Sequence, residues 1–160
     1  MVSPTNGQVS MDDIAAIIRQ KVLDGHGEFN VMIGTDSQNF DQTKMVLVIA
    51  LHNVGHGGIF FYEVSRVRRI ENVKEKLIFE TTLSLQCAGQ LMETFERLKE
   101  TTGFDYEKSL NFSIHVDAGY NGPSCQVIPE VVGWIRACGY NAVVKPESYA
   151  ACSIANKYSK

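Results

Sequence analysis

Apolar positions along the chain fall into two periods, short continuous runs and longer stretches with a hydrophobe every three or four residues. The two periods assign strands and helices respectively. Residues 10–24 place Ile14, Ile17, Ile18 and Val22 at helical spacing, with Ser10 positioned as N-cap, Asp12 and Asp13 in the first turn and Gly25 behind. That is the pattern of an amphipathic helix. Three apolar segments follow at about 29–36, 45–51 and 59–67, the last two joined by a glycine-rich stretch at 52–58. Short connections between such runs predict an antiparallel meander. The longest helical pattern is 71–100, where Leu77, Ser84, Ala88, Leu91, Phe95 and Leu98 recur on one stripe and Gly103 follows the end. Beyond it the pattern predicts a strand at about 110–117 and a helix at about 123–138, with Pro123 near its start and Gly139 after its end. A short strand at 140–144 and a last helix at about 148–158 complete the chain.

This order predicts an α/β fold with a five-stranded mixed sheet. An antiparallel meander leads into strands parallel to the first, with helices on both faces. At 160 residues, with no repeat or linker, the chain reads as a single domain over 1–160, in which 1–28 is an N-terminal helical extension. No apolar run reaches the ~20 residues that span a bilayer. The polar first ten residues lack the basic-then-apolar layout of a signal peptide, so a cytoplasmic location is expected. Cys87, Cys125, Cys138 and Cys152 form no Cys-x-x-Cys pair and read as free core thiols. The net charge of −3 does not advertise nucleic-acid binding, although Arg66, Arg68, Arg69, Lys74 and Lys76 concentrate basic charge in one stretch and Lys157 and Lys160 add to it at the C-terminus.

The chemistry lies in two apolar runs that each end in an acid. One is FNVMIGTDSQ, ending at Asp36, and the other is FSIHVDAGY, ending at Asp117. A buried aspartate is costly unless paired or bound to a cation. Placed on adjacent parallel strands, both would sit at carboxyl ends, where ligands bind in sheets of this kind. Glu80 falls on the sheet-facing stripe of the long helix, three residues after Leu77, and is the third candidate. Three converging carboxylates repel unless a cation joins them. Oxygen-only ligands favour magnesium or manganese over zinc. His115 reads as a hydrogen-bonded core histidine, His52 and His56 as turn residues, and Trp134 as core on a stripe with Val131 and Cys138. Tyr120 and Tyr149 are of a type that stacks on bases.

The order of elements and these acids resemble the ribonuclease H-like superfamily from about residue 29 to the C-terminus. Within it, GTDSQ, VDAGYNGPS and the ending KPESYAACSIANKYSK look like the YkuK-like family of predicted ribonuclease H-like proteins. The resemblance implies that Asp36 bridges two divalent ions, magnesium or manganese, with Glu80 and Asp117 as further ligands. The superfamily's fourth acid falls on Asn156 here, with Glu147 as the alternative fourth ligand. The implied activity is metal-dependent endonucleolytic hydrolysis of RNA or an RNA–DNA hybrid by a two-metal mechanism. Ser37 and Gln38 would hydrogen-bond a phosphate or 2′-hydroxyl, and Lys157 would touch the nucleic-acid backbone.

Two other readings compete. A non-catalytic nucleic-acid or protein-binding module could retain the fold with a degraded metal site, which Asn156 and the acidic net charge would suit. A phosphate-binding fold of the sugar-kinase and actin kind also opens with a strand, an aspartate turn and a meander, but such proteins carry two copies of the unit.

Overall fold

A computed structural model describes residues 1–145 together with Ile154, Ala155, Tyr158 and Ser159. The elements run β1 (Val2–Ser3), β2 (Gly7–Gln8), α1 (Met11–Asp24), β3 (Phe29–Asn39), β4 (Thr43–Asn53) and β5 (Gly57–Val67) in the first half. The second half holds α2 (Val73–Thr102), α3 (Tyr106–Ser109), β6 (Asn111–His115), α4 (Ile128–Ala137) and β7 (Asn141–Val143). Among the described residues, no helix is long and apolar enough to cross a membrane.

The sheet has seven strands in the order β2-β1-β5-β4-β3-β6-β7. The expected meander is β3, β4 and β5, paired antiparallel without interruption from Phe29↔Asn53 to Asn39↔Thr43 and from Thr43↔Val67 to Asn53↔Gly57. β6 lies parallel to β3, and β7 parallel to β6. The mixed α/β class is therefore as expected, but the strand count is higher. The two additional strands are a two-residue hairpin that joins the β5 edge at Val2↔Tyr62. Strands of two residues carry no period to read.

Local sequence explains the helix ends. Ser10 and Asp13 form a reciprocal capping box at the start of α1. Asn72 accepts from the Glu75 N–H at the start of α2, and Gly103 closes that helix in the left-handed region at φ 74°. One face of the sheet carries Val31, Ile33, Ile49 and Leu51, against which α1 and α2 set Ile14, Ile18, Leu77, Ala88, Leu91 and Phe95. α4 joins the same core through Ile128, Val131 and Ile135. The other face carries Met32, Val46, Val48 and Ala50, covered by the helical residues Ile154, Ala155 and Tyr158. The Tyr158 ring stacks on Tyr62 with centroids 4.3 Å apart. Helices thus cover both faces.

Two side-chain readings are corrected. Trp134 is 37% exposed and Cys138 is exposed, because the buried stripe of α4 is Ile128, Val131 and Ile135. Val131 belongs to two possible stripes, and the branched aliphatics won the core side over the large indole. Of the described thiols, only Cys87 is fully buried and Cys125 is half-buried. Burial pushes the Cys87 thiol up to about 12. Cys152 lies outside the described residues.

Candidate metal centre at the carboxyl ends of the parallel strands

The site exists because β3 outruns its parallel neighbour. β6 ends at His115, opposite Gly34, while β3 continues from Thr35 to Asn39 with β4 as its partner. The expected end of the first strand at Asp36 is thus three residues short. Asp36 lies within a strand, paired with Val46, on a stretch whose β6-side edge is open.

Strand alternation then distributes the side chains. Thr35 and Ser37 face α2. The Thr35 hydroxyl shares a buried hydrogen bond with Ser84 at 2.8 Å, and Ser37 Oγ donates to Glu80 Oε2 at 3.3 Å. Asp36 faces the opposite side, where Ser159 Oγ donates to its Oδ2 at 3.2 Å. Asp117 lies just past the end of β6. Asp36 and Asp117 are joined by a hydrogen bond between their carboxyl groups. Asp36, Ser37, Glu80 and Asp117 line one cleft of about 620 Å³, with Lys76 and Lys145 on its wall. The loop that follows Asp117 forms the rest of the rim and carries Tyr120, 63% exposed.

The electrostatics are those of acids short of positive charge. Burial, then the hydrogen bond and charge of Asp117, together raise the Asp36 pKa to about 7, against the opposing Ser37 N–H and Ser159 hydroxyl. Burial also holds Glu80 well above the usual range, with the charges of Asp36 and Asp117 adding to the effect and Lys76 offsetting part of it. For Asp117 burial works in the same direction, but the hydrogen bond with Asp36 and the Lys145 ammonium overcome it and set its pKa low. Of the pair, Asp117 is therefore the acid that ionises first and Asp36 the one that holds a proton longer as pH rises.

The donor set suits a hard divalent cation. All three acids offer only oxygen, two are almost fully buried, and a cation would relieve the repulsion among them. With the side chains as they stand, no group of three or more His, Cys, Asp or Glu residues among the described residues is arranged around a common ion position. Asn156 and Lys157 lie outside the described residues, as do Glu147, Tyr149 and Lys160. Gln38 is exposed on β3, beyond Asp36 on the same face. His115 is buried, as a core histidine should be.

The ribonuclease H-like family model matches residues 10–160. The chain belongs to the ribonuclease H-like family. It is also 32% identical over 164 residues to a Bacillus subtilis (strain 168) protein described as uncharacterized protein YkuK, covering 98% of this chain and 94% of that one. The YkuK-like resemblance of the sequence is thereby established at full length. No solved structure matches the chain.

Three residues of the site escaped the sequence reading. Lys145 sits just beyond β7, the strand beside β6, so its proximity to Asp117 was latent in the parallel order of the strands. Lys76 lies one helical turn before Glu80 and was read only as part of a basic stretch. Ser159 is four residues after buried Ala155, a helical spacing of small residues that a facing strand can approach.

Proposed function

We propose that this protein is a metal-dependent nuclease that hydrolyses phosphodiester bonds of RNA or an RNA–DNA hybrid. One observation carries the reading: Asp36 from β3, Glu80 from α2 and Asp117 from beyond β6 line a single cleft at the carboxyl ends of parallel strands. Acids contributed by three separate elements, buried at a cost in stability, are best explained by a task. Asp36, Glu80 and Asp117 would hold magnesium or manganese, with Asn156 as a further oxygen donor. When bound, such an ion lowers the pKa of a water and offsets charge on the leaving oxygen. Ser37, already donating to Glu80, would fix that carboxylate's orientation, and Gln38 would hydrogen-bond a phosphate or a 2′-hydroxyl. Lys157 would meet the backbone nearby.

The nucleic-acid backbone has a natural track on the face that carries Asp36. Register places Gln38, Lys44 and Arg66 in one cross-strand row, about 7 Å from the Asp36–Val46–Val64 row by strand rise. Like charges directly opposite one another repel, and an anion between them would remove that cost. Arg68, Arg69 and Lys74 are engaged with Glu75, Glu71 and Glu130, whereas among the described residues Lys44 and Arg66 stand outside any ion pair.

The test is cleavage of labelled single-stranded RNA, DNA and hybrid in manganese by the protein and by Asp36→Asn. The proposal requires cleavage that the variant loses. Equal cleavage by both would refute the assigned site. A second reading, a binding module that keeps the fold, draws on the raised proton affinity of Asp36 and on the Lys145 contact to Asp117. Salt-sensitive binding without cleavage would favour it.

A further inference from the structure

The cleft contains a cation of the chain's own. Lys145 Nζ lies 2.6 Å from Asp117 Oδ1. Its backbone is fixed by the sheet, because the β6–β7 ladder continues past the last paired residues. The Val116 N–H donates to Val143 O at 2.8 Å, and the Lys145 N–H donates to Ala118 O at 3.0 Å. Gly119 allows this close approach, since a Cβ there would stand 3.3 Å from Lys145 Cβ. Backbone pairing thus sets the ammonium within reach of Asp117, and the ion pair holds the half-exposed side chain there.

Charge balance decides what else the cleft can take. Among the described residues, its carboxylates are Asp36, Glu80 and Asp117. With an ion in place of any proton on Asp36, these three described charges are matched by one divalent ion together with the Lys145 ammonium. A second divalent ion would leave the cleft with excess positive charge, increased further by Lys76 on the same wall. Uncompensated positive charge beside acids as buried as Asp36 and Glu80 is expensive. Resting on the metal-dependent reading above, we propose that Lys145 is the fixed second cation of this site, so that the protein takes one divalent ion where the resemblance implies two. The ammonium is a positioning group. It orients Asp117 and presents positive charge on the side of the cleft where a second ion would otherwise lie.

The experiment is manganese titration into the metal-free full-length chain, comparing wild type with Lys145→Met and Lys145→Arg. Calorimetry gives the stoichiometry, and electron paramagnetic resonance reports whether bound ions are spin-coupled neighbours. The wild type and Lys145→Arg should each bind one uncoupled ion, and Lys145→Met should bind two. Lys145 is half exposed, so Met is tolerable there, and Lys145→Arg tests charge without altering the fold. A coupled pair in the wild type, or Lys145→Met indistinguishable from it, would overturn the role of Lys145 while leaving the nuclease reading in place. Absence of manganese binding in all three proteins would overturn both.

Discussion

Replacing Asp36 by Asn should stabilise the metal-free protein, by an amount that depends on pH. The carboxyl carries an unfolded value near 3.8 and is raised in the fold to about 7, chiefly by burial and then by Asp117. A raised carboxyl pKa means that the folded state prefers the protonated form. Its cost to stability is therefore absent below pH 3.8, grows as pH rises from there, and is complete above about 7. Every tenfold gain in proton affinity on folding corresponds to about 1.4 kcal/mol, so the full cost is about 4 kcal/mol. Asn is close in shape to the protonated acid and can still donate to Asp117, so the variant escapes the cost while keeping the contact. The stability difference should widen by about 2–3 kcal/mol between pH 5 and pH 8, which corresponds to roughly 5–10 °C in Tm for a chain of this size. The assay is thermal unfolding of both proteins in a chelator across that range. Adding manganese should then raise the wild-type Tm and leave the variant nearly unmoved, because an ion at one hundred times its Kd contributes about 2.7 kcal/mol. A variant that is less stable at pH 8, or a difference that does not widen with pH, would refute the account of Asp36 as an acid held without sufficient countercharge.

Other consequences are narrower. Thr35→Val removes the buried hydroxyl pair with Ser84 that ties β3 to α2 one turn beyond Glu80; it should cost about 1 kcal/mol, read as a fall of about 2–4 °C in Tm. Arg66→Ala should weaken RNA binding and lower the salt slope by about one, measured by anisotropy at several salt concentrations. Because Arg66 opposes Lys44 in register, the same change should leave Tm unaltered or slightly higher, which separates a lost contact from a damaged fold.

The fold was legible in the sequence where a period was long enough to read. α1 and α2 carry their patterns over ten or more residues and the three long strands over about seven to nine, and the parallel placement of β6 beside β3 followed from connection rules. What escaped was short or ambiguous. The strands of the β1–β2 hairpin are two residues each and join the sheet only through a remote partner at Tyr62, and the one-turn helix α3 has no stripe. The α4 stripe could be drawn through Val131 in two directions, and the burial of Ile128 and Ile135 in the core decided it. The end of β3 was misjudged for a physical reason. Asp and Ser are turn formers by local preference, but the β3–β4 hairpin carries pairing through to Asn39, where the Thr43 hydroxyl closes it with a bond of 2.6 Å.

The same contrast separates the acids of the site from its bases. A carboxylate in an apolar run stands out because its position contradicts the pattern around it, and Asp36 and Glu80 stand out in this way. Lys145 and Lys76 contradict nothing. One follows a three-residue strand and the other occupies an ordinary polar helix position, so neither attracts notice until the sheet brings it to the cleft. Acids buried on strands and helices fix where a cation must go, while lysines reaching in from element ends fix how much positive charge remains to be supplied. Identifying the acids alone therefore suggests a two-ion centre. Including Lys145, held 2.6 Å from Asp117, leads to the one-ion centre proposed above.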